Sequence, residues 1–139
     1  MKTYVKIALG IVLFIAIGSI LVALKMYNKK HTDTSKAKPD FVVTATALQK
    51  EFEDNETAAS AKYINKIVEV TGTVVSVKPA ENNSVNITLS TGSDMSSVIC
   101  TFISLADPSI IKSGDKATVR GECSGFLMDV LLNNCSLIK

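Results

Sequence analysis

Histidine is almost missing from this chain, and with it goes most routine catalytic and metal chemistry. The 139 residues contain one histidine, His31, and it lies outside the stretch that reads as folded. The three cysteines, Cys100, Cys123 and Cys135, show no C-x-x-C or other metal-ligand spacing. A Cys/His metal site is therefore not expected, and no residue set calls for a metal or cofactor. The chain also lacks a nucleophile-elbow serine, a P-loop and a Gly-rich dinucleotide turn. Glu51, Glu53 and Asp54 are spaced as the solvated face of a helix. Cys100 and Cys123 alternate with apolar positions, which suits buried thiols better than nucleophiles. Together these absences predict a protein that is not an enzyme.

Positive charge is scarce where a nucleic-acid binder would need it. Residues 1–39 hold seven lysines against one acid, Asp33, a net +6, which leaves residues 40–139 with 8 basic against 12 acidic residues, a net −4. The lysines of that second part, Lys62, Lys66, Lys78, Lys112 and Lys116 among them, are scattered. A phosphate backbone would meet overall repulsion unless a local patch reversed it.

The amino-terminal region supplies what charge does not. Ile7–Leu24 runs for eighteen residues without a charged side chain. At 1.5 Å per helical residue it reaches roughly 27 Å, enough to cross a hydrocarbon core. The residues Leu21-Val22-Ala23-Leu24-Lys25 make a poor signal-peptide cleavage site, and no cysteine follows the apolar run for lipid attachment. Residues 1–24 are thus expected to be an uncleaved single-pass anchor, with residues 7–24 making the membrane contact. Residues 25–40 read as a polar linker, in which Lys25, Lys29 and Lys30 form a stop-transfer flank. Residues 41–139 are left as the folded domain. Sidedness is balanced between two clues: those lysines favour a cytoplasmic domain, and strand-borne cysteines favour an oxidising, extracytoplasmic one. The reading leans to the extracytoplasmic side.

Within the domain, Thr44 is placed to cap a helix reaching Asp54, and Asn55 to cap a second over Glu56–Tyr63. Phe52 and Tyr63 are expected to cover one opening of a sheet. Five strands follow: Lys66–Val77, Ser84–Ser90, Ser97–Ile103, Lys116–Ser124 and Val130–Ile138, with a helical turn between the third and fourth. In the first, Val68, Val70 and Val74 share a face, and then the phase slips at Val75. That slip beside Gly72 predicts a bent strand. The order is that of a mainly β, five-stranded OB-fold barrel, preceded by short α-helices and an N-terminal transmembrane helix.

Particular residues sharpen this. The run Tyr63-x-x-Lys66-x-x-Glu69-Val70-Thr71-Gly72-x-Val74 is followed by Val98-x-Cys100-x-Phe102. Next come Gly114-Asp115-Lys116-x-x-Val119-x-Gly121-Glu122-Cys123-x-Gly125, then Asp129-Val130 and Cys135. The pattern, over residues 39–139, resembles the tRNA-anti-like OB-fold family, in particular small membrane-anchored bacterial members of the Bacteroidetes type. The resemblance implies the barrel, a bacterial inner membrane for the anchor and, by analogy with anticodon-binding domains, nucleic-acid binding. Its motifs are glycines, apolar positions and cysteines, so they describe a fold rather than an activity.

The stretch that stands apart is Gly125-Phe126-Leu127-Met128-Asp129, read as the turn between the last two strands. Large apolar residues at a hairpin tip either contact a partner or fold back to close the barrel. Phe126, Leu127 and Met128 are accordingly the candidate binding residues, with Pro79, Asn82 and Asn83 as the opposite lip of the same barrel mouth. The function expected is non-catalytic recognition of a protein, peptide or small ligand near the membrane. Single-stranded nucleic acid or tRNA is the alternative, disfavoured by the acidic domain. Cys123 is expected either to pair with Cys100 or Cys135 in a disulfide, or to stay reduced with them in the core.

Overall fold

The computed structural model describes residues 1–27 and 33–138, and it divides into the units Met1–His31 and Thr32–Lys139. Lys29, Lys30 and His31 of the expected linker lie outside the described residues. In the first unit a single helix, α1, spans Lys2–Tyr27. From Thr3 onward it is long and apolar enough to cross a membrane. It continues three residues past Leu24 because Lys25 and Met26 are good helix formers. Its most polar interior side chain is satisfied internally, Ser19 Oγ donating to the Ile15 carbonyl at 2.8 Å.

The second unit begins with a short strand, β1 (Phe41–Thr44), and two helices, α2 (Ala45–Asp54) and α3 (Glu56–Tyr63). Then come β2 (Ile67–Pro79), β3 (Val85–Ser90), β4 (Ser97–Phe102), β5 (Lys116–Leu127) and β6 (Asp129–Ile138). Both helix starts are capped as their sequences predict. Thr44 Oγ1 accepts from the Ala47 amide at 3.2 Å, and Asn55 Oδ1 from the Ala58 amide at 3.1 Å. The sheet order β1-β2-β3-β4-β6-β5 closes through a further β2–β5 pairing. This is the OB-fold barrel, with β4 and β6 parallel and β1 added outside it, parallel to β2. Phe41–Thr44 is too short for alternation to reveal it as a strand, and the sequence reading passes over it.

Closure depends on β2. Ile67–Thr73 pairs with β5, and Val74–Pro79 pairs with β3. Between the Val74↔Leu89 and Ser76↔Thr88 pairs one residue is left over, Val75, whose side chain is half exposed. The predicted phase slip is therefore a bulge at Val75, and the bulge, not Gly72, turns the strand. Gly72 serves a different need. A Cβ there would stand 3.0 Å from Ala45 Cβ and 3.2 Å from Leu89 Cβ, so its absence lets α2 sit down on the barrel end. Leu48, Phe52 and Tyr63 from the helices join Val68, Val70, Ile87, Leu89, Val98, Phe102, Val119 and Leu132 in one buried core.

The compact unit starts before residue 41. Thr34 is buried and its Oγ1 lies 2.7 Å from both the Asn134 carbonyl oxygen and Ser136 Oγ. Arg120 holds the same segment. Its Nη2 and Nε donate to Glu69 Oε2 at 2.6 and 3.0 Å, while Nη1 donates to the Ala37 carbonyl at 2.7 Å. The planar fork of donors lets one side chain satisfy a carboxylate and the backbone together.

The cysteines do not pair: all three are free thiols. The expected bond from Cys123 to Cys100 fails on geometry. Both residues are in register with Leu132 of the strand between them. They stand two strand spacings apart, roughly 10 Å, beyond disulfide reach of about 7 Å. Cys135 packs against Gly121, two residues away from Cys123 on β5, and its thiol neighbour is Cys100. Burial pushes the Cys123 thiol up to about 11 and raises Cys135 as well.

Gly121 faces a second bulge. Arg120 pairs with Ser136 and Glu122 with Asn133, so two β6 residues oppose Gly121, and Asn134 adopts φ +51°. A Cβ on residue 121 would lie 2.5 Å from Cys135 Sγ. Gly121→Ala should destabilise the fold by about 1–3 kcal/mol through overpacking. Chemical denaturation should show Cys135→Ala in the same chain recovering part of that loss; strictly additive losses would contradict the contact.

Candidate functional site

The hairpin joining β5 and β6 is tighter than its glycine suggests. Phe126 pairs with Val130 and Leu127 with Asp129, so the reversal rests on Met128 alone. Gly125 does not make the turn; it lies at a register shift in β5, where Ser124 is the unpaired residue. Met128 takes φ +65°, a left-handed conformation that non-glycine residues avoid. One hydrogen bond anchors it from below: Gln49 Nε2 on α2 donates to the Met128 carbonyl at 2.8 Å.

The same glutamine ties the tip to the rest of the site. Gln49 is 2% exposed, and its Nε2 also donates to Glu53 Oε1 at 3.0 Å. Glu53 Oε1 in turn accepts from Ser96 Oγ at 3.2 Å, in the loop between β3 and β4. That loop reaches the tip because β4 and β6 run parallel. Asp129 Oδ1 accepts from the Ser97 amide and hydroxyl at 2.7 and 2.8 Å, fixing the two strand starts side by side.

These contacts frame an open cleft of about 680 Å³ lined by Phe126, Leu127, Met128, Met95, Glu53 and Glu56, with Ser93 and Ser96 at its edge. Leu127, Met128 and Met95 are 78%, 67% and 79% exposed. Among the described residues, no lysine or arginine lines it. Neither Glu53 nor Glu56 has an ion-pair partner among the described residues, whereas Glu51 is paired with Lys62, Asp54 with Lys50 and Glu69 with Arg120.

The candidate residues therefore separate. Phe126 folds back, its ring stacked on Phe52 at 5.2 Å between centroids, and forms the cleft's inner wall. Leu127 and Met128 point outward. Pro79, Asn82 and Asn83 are exposed, but they do not form the other lip of this mouth. Pro79 pairs with Val85, which pairs with Phe102, at the end of the β3–β4 hairpin opposite the Ser90–Ser97 pair and Asp129. Six strand residues separate the two ends, roughly 17 Å. Strand direction decides which connections share a mouth, and it sends the β2–β3 connection to the end away from the β5–β6 tip. Met95, Glu53 and Glu56 escaped sequence reasoning: Met95 sits in a short polar loop, and the two glutamates look like any solvated helix surface.

The outer face of β3 and β4, where OB-folds commonly hold single strands, carries Asn86, Thr88, Ser90, Ser97, Ile99 and Thr101. It offers neither an aromatic ring nor a cation. Phe102 is fully buried, as its parity predicts.

Comparison with known proteins adds a family and a fold. Among solved structures, a lipoprotein of Klebsiella pneumoniae to which nucleic-acid binding has been ascribed superposes with a TM-score of 0.59 at 21% identity, covering 70% of this chain and 91% of that one. The S. pombe Stn1-Ten1 complex matches at a TM-score of 0.40 and 18% identity, over 52% of this chain and 58% of that one. The yeast Stn1 and Ten1 structure matches at 0.41 and 12% identity, over 78% and 67%. No curated protein matches the chain in sequence. The sequence pattern of the tRNA_anti-like family matches residues 1–137, spanning α1 and the barrel alike, and the chain belongs to that family.

Proposed function

We propose that this protein is a membrane-tethered, non-catalytic OB-fold module that recognises a polypeptide partner at the cleft beside its β5–β6 tip. The observation that carries the reading is Met128: a left-handed backbone position is given to a large apolar side chain that is then left two-thirds exposed. Such strain costs about 1–3 kcal/mol and concentrates where function requires it. Leu127 and Met95 extend the same surface, and exposed apolar surface gathered in this way favours a partner contact. Burial raises the Cys123 thiol, which makes that residue a poor nucleophile. The tether is supplied by α1; the domain's side of the membrane is proposed as extracytoplasmic.

Nucleic-acid binding is the second reading, favoured by what is ascribed to the Klebsiella lipoprotein. The uncharged, ring-free outer face of β3–β4 weighs against it.

Two measurements test this. The full chain in nanodiscs, with Lys25→Gln, Lys29→Gln and Lys30→Gln to silence the lysine flank, is titrated with single-stranded oligonucleotides at low salt. No binding is expected; binding that weakens steeply with salt would overturn the proposal in favour of the second reading. Met128→Gly should leave the fold intact and stabilise it by about 0.5–1 kcal/mol in a denaturant titration, since glycine accepts positive φ. A comparable loss of stability would assign the Met128 side chain to barrel closure instead.

A further inference from the structure

The cleft's charges narrow the partner further, on the strength of the function just proposed. Its floor and lips are apolar: Met95, Phe126, Leu127 and Met128. Its charged lining is entirely anionic, Glu53 and Glu56, and neither carboxylate is neutralised by a cation of the described residues. Behind the wall, Gln49 is almost completely buried, with its Nε2 shared between Glu53 and the Met128 carbonyl. Its Oε1 is a buried acceptor with no donor partner among the described residues. The site thus sets two carboxylates that have no ion-pair partner among the described residues beside flexible, polarizable side chains. Methionines of this kind adapt to varied aliphatic shapes, while carboxylates at a rim select by charge and reject anions. An anionic lipid or nucleic-acid surface is repelled by that rim.

We infer that the cleft takes a cationic amphipathic segment of a partner protein, one that inserts large aliphatic side chains between Met95 and Met128 and sets flanking lysines or arginines against Glu53 and Glu56. The aliphatic side chain supplies contact area, and the flanking cations supply selection.

The chain has four methionines, and this makes the test direct. Met95 and Met128 line the cleft, while Met1 and Met26 belong to the first unit and report contact elsewhere. The full chain, labelled at methionine methyls and held in zwitterionic nanodiscs, is titrated with a six-residue peptide alternating lysine and leucine. Companion titrations use the glutamate–leucine and lysine–serine versions and a twelve-nucleotide oligothymidine. The lysine–leucine peptide should shift the Met95 and Met128 methyls and leave Met1 and Met26 in place. The two companion peptides should bind at least several-fold more weakly. Glu53→Gln with Glu56→Gln should weaken the lysine–leucine peptide roughly five- to tenfold, as two partly exposed ion pairs would. Glutamine keeps the acceptor for Gln49 and Ser96, so the fold is retained. Equal binding of the glutamate–leucine peptide overturns the inference while an apolar partner contact survives. No methyl shift with any peptide overturns the inference, and oligothymidine moving the cleft methyls overturns the proposed function as well.

Discussion

The barrel depends on one strand pairing with two neighbours in succession. β2 gives its first half to β5 and its second to β3. A regular strand keeps every side chain on its face and cannot turn that corner without carrying apolar groups outward. The single unpaired residue Val75 resolves this: Val74 stays in the core, and pairing resumes at Ser76. Once β2 closes the ring, β6 must run between β4 and β5, parallel to one and antiparallel to the other.

That placement has a consequence for function. Parallel β4 and β6 start at the same end of the barrel, and Asp129 bonded to Ser97 secures the alignment. The β3–β4 loop and the β5–β6 tip are thereby neighbours, although some thirty residues apart in sequence. The helices cover this same end, so Gln49 and Glu53 on α2 reach both. A cleft built this way has its inner wall fixed by the Phe52–Phe126 stack, while its lips, Leu127, Met128 and Met95, stand exposed.

Much of the fold was legible in the sequence because local chemistry and tertiary packing agree there. Thr44 and Asn55 cap as their residue types dictate, Val85, Ile87 and Leu89 alternate, and the slip at Val75 marks the bulge. β1 was not legible, since four residues carry too little periodicity. Nor was the docking of Thr34 on Asn134 and Ser136, or of Ala37 on Arg120, since each partner lies far along the chain. At the site, the apolar tip announced itself, but the roles of its residues did not. Phe126 and Met128 look alike in sequence, and only strand register turns one inward and leaves the other at a left-handed turn. Pro79, Asn82 and Asn83 were misplaced because loop proximity follows strand direction, which composition does not carry.

The central claim is that recognition occurs at the helix-covered end of the barrel and not across its β3–β4 face. Photo-crosslinking in intact cells tests it most directly, with a photoreactive amino acid placed at position 95 in one chain and at position 88 in another. The account predicts protease-sensitive, nuclease-resistant adducts from position 95 and none from position 88. Nuclease-sensitive adducts from position 88, with position 95 silent, would contradict it.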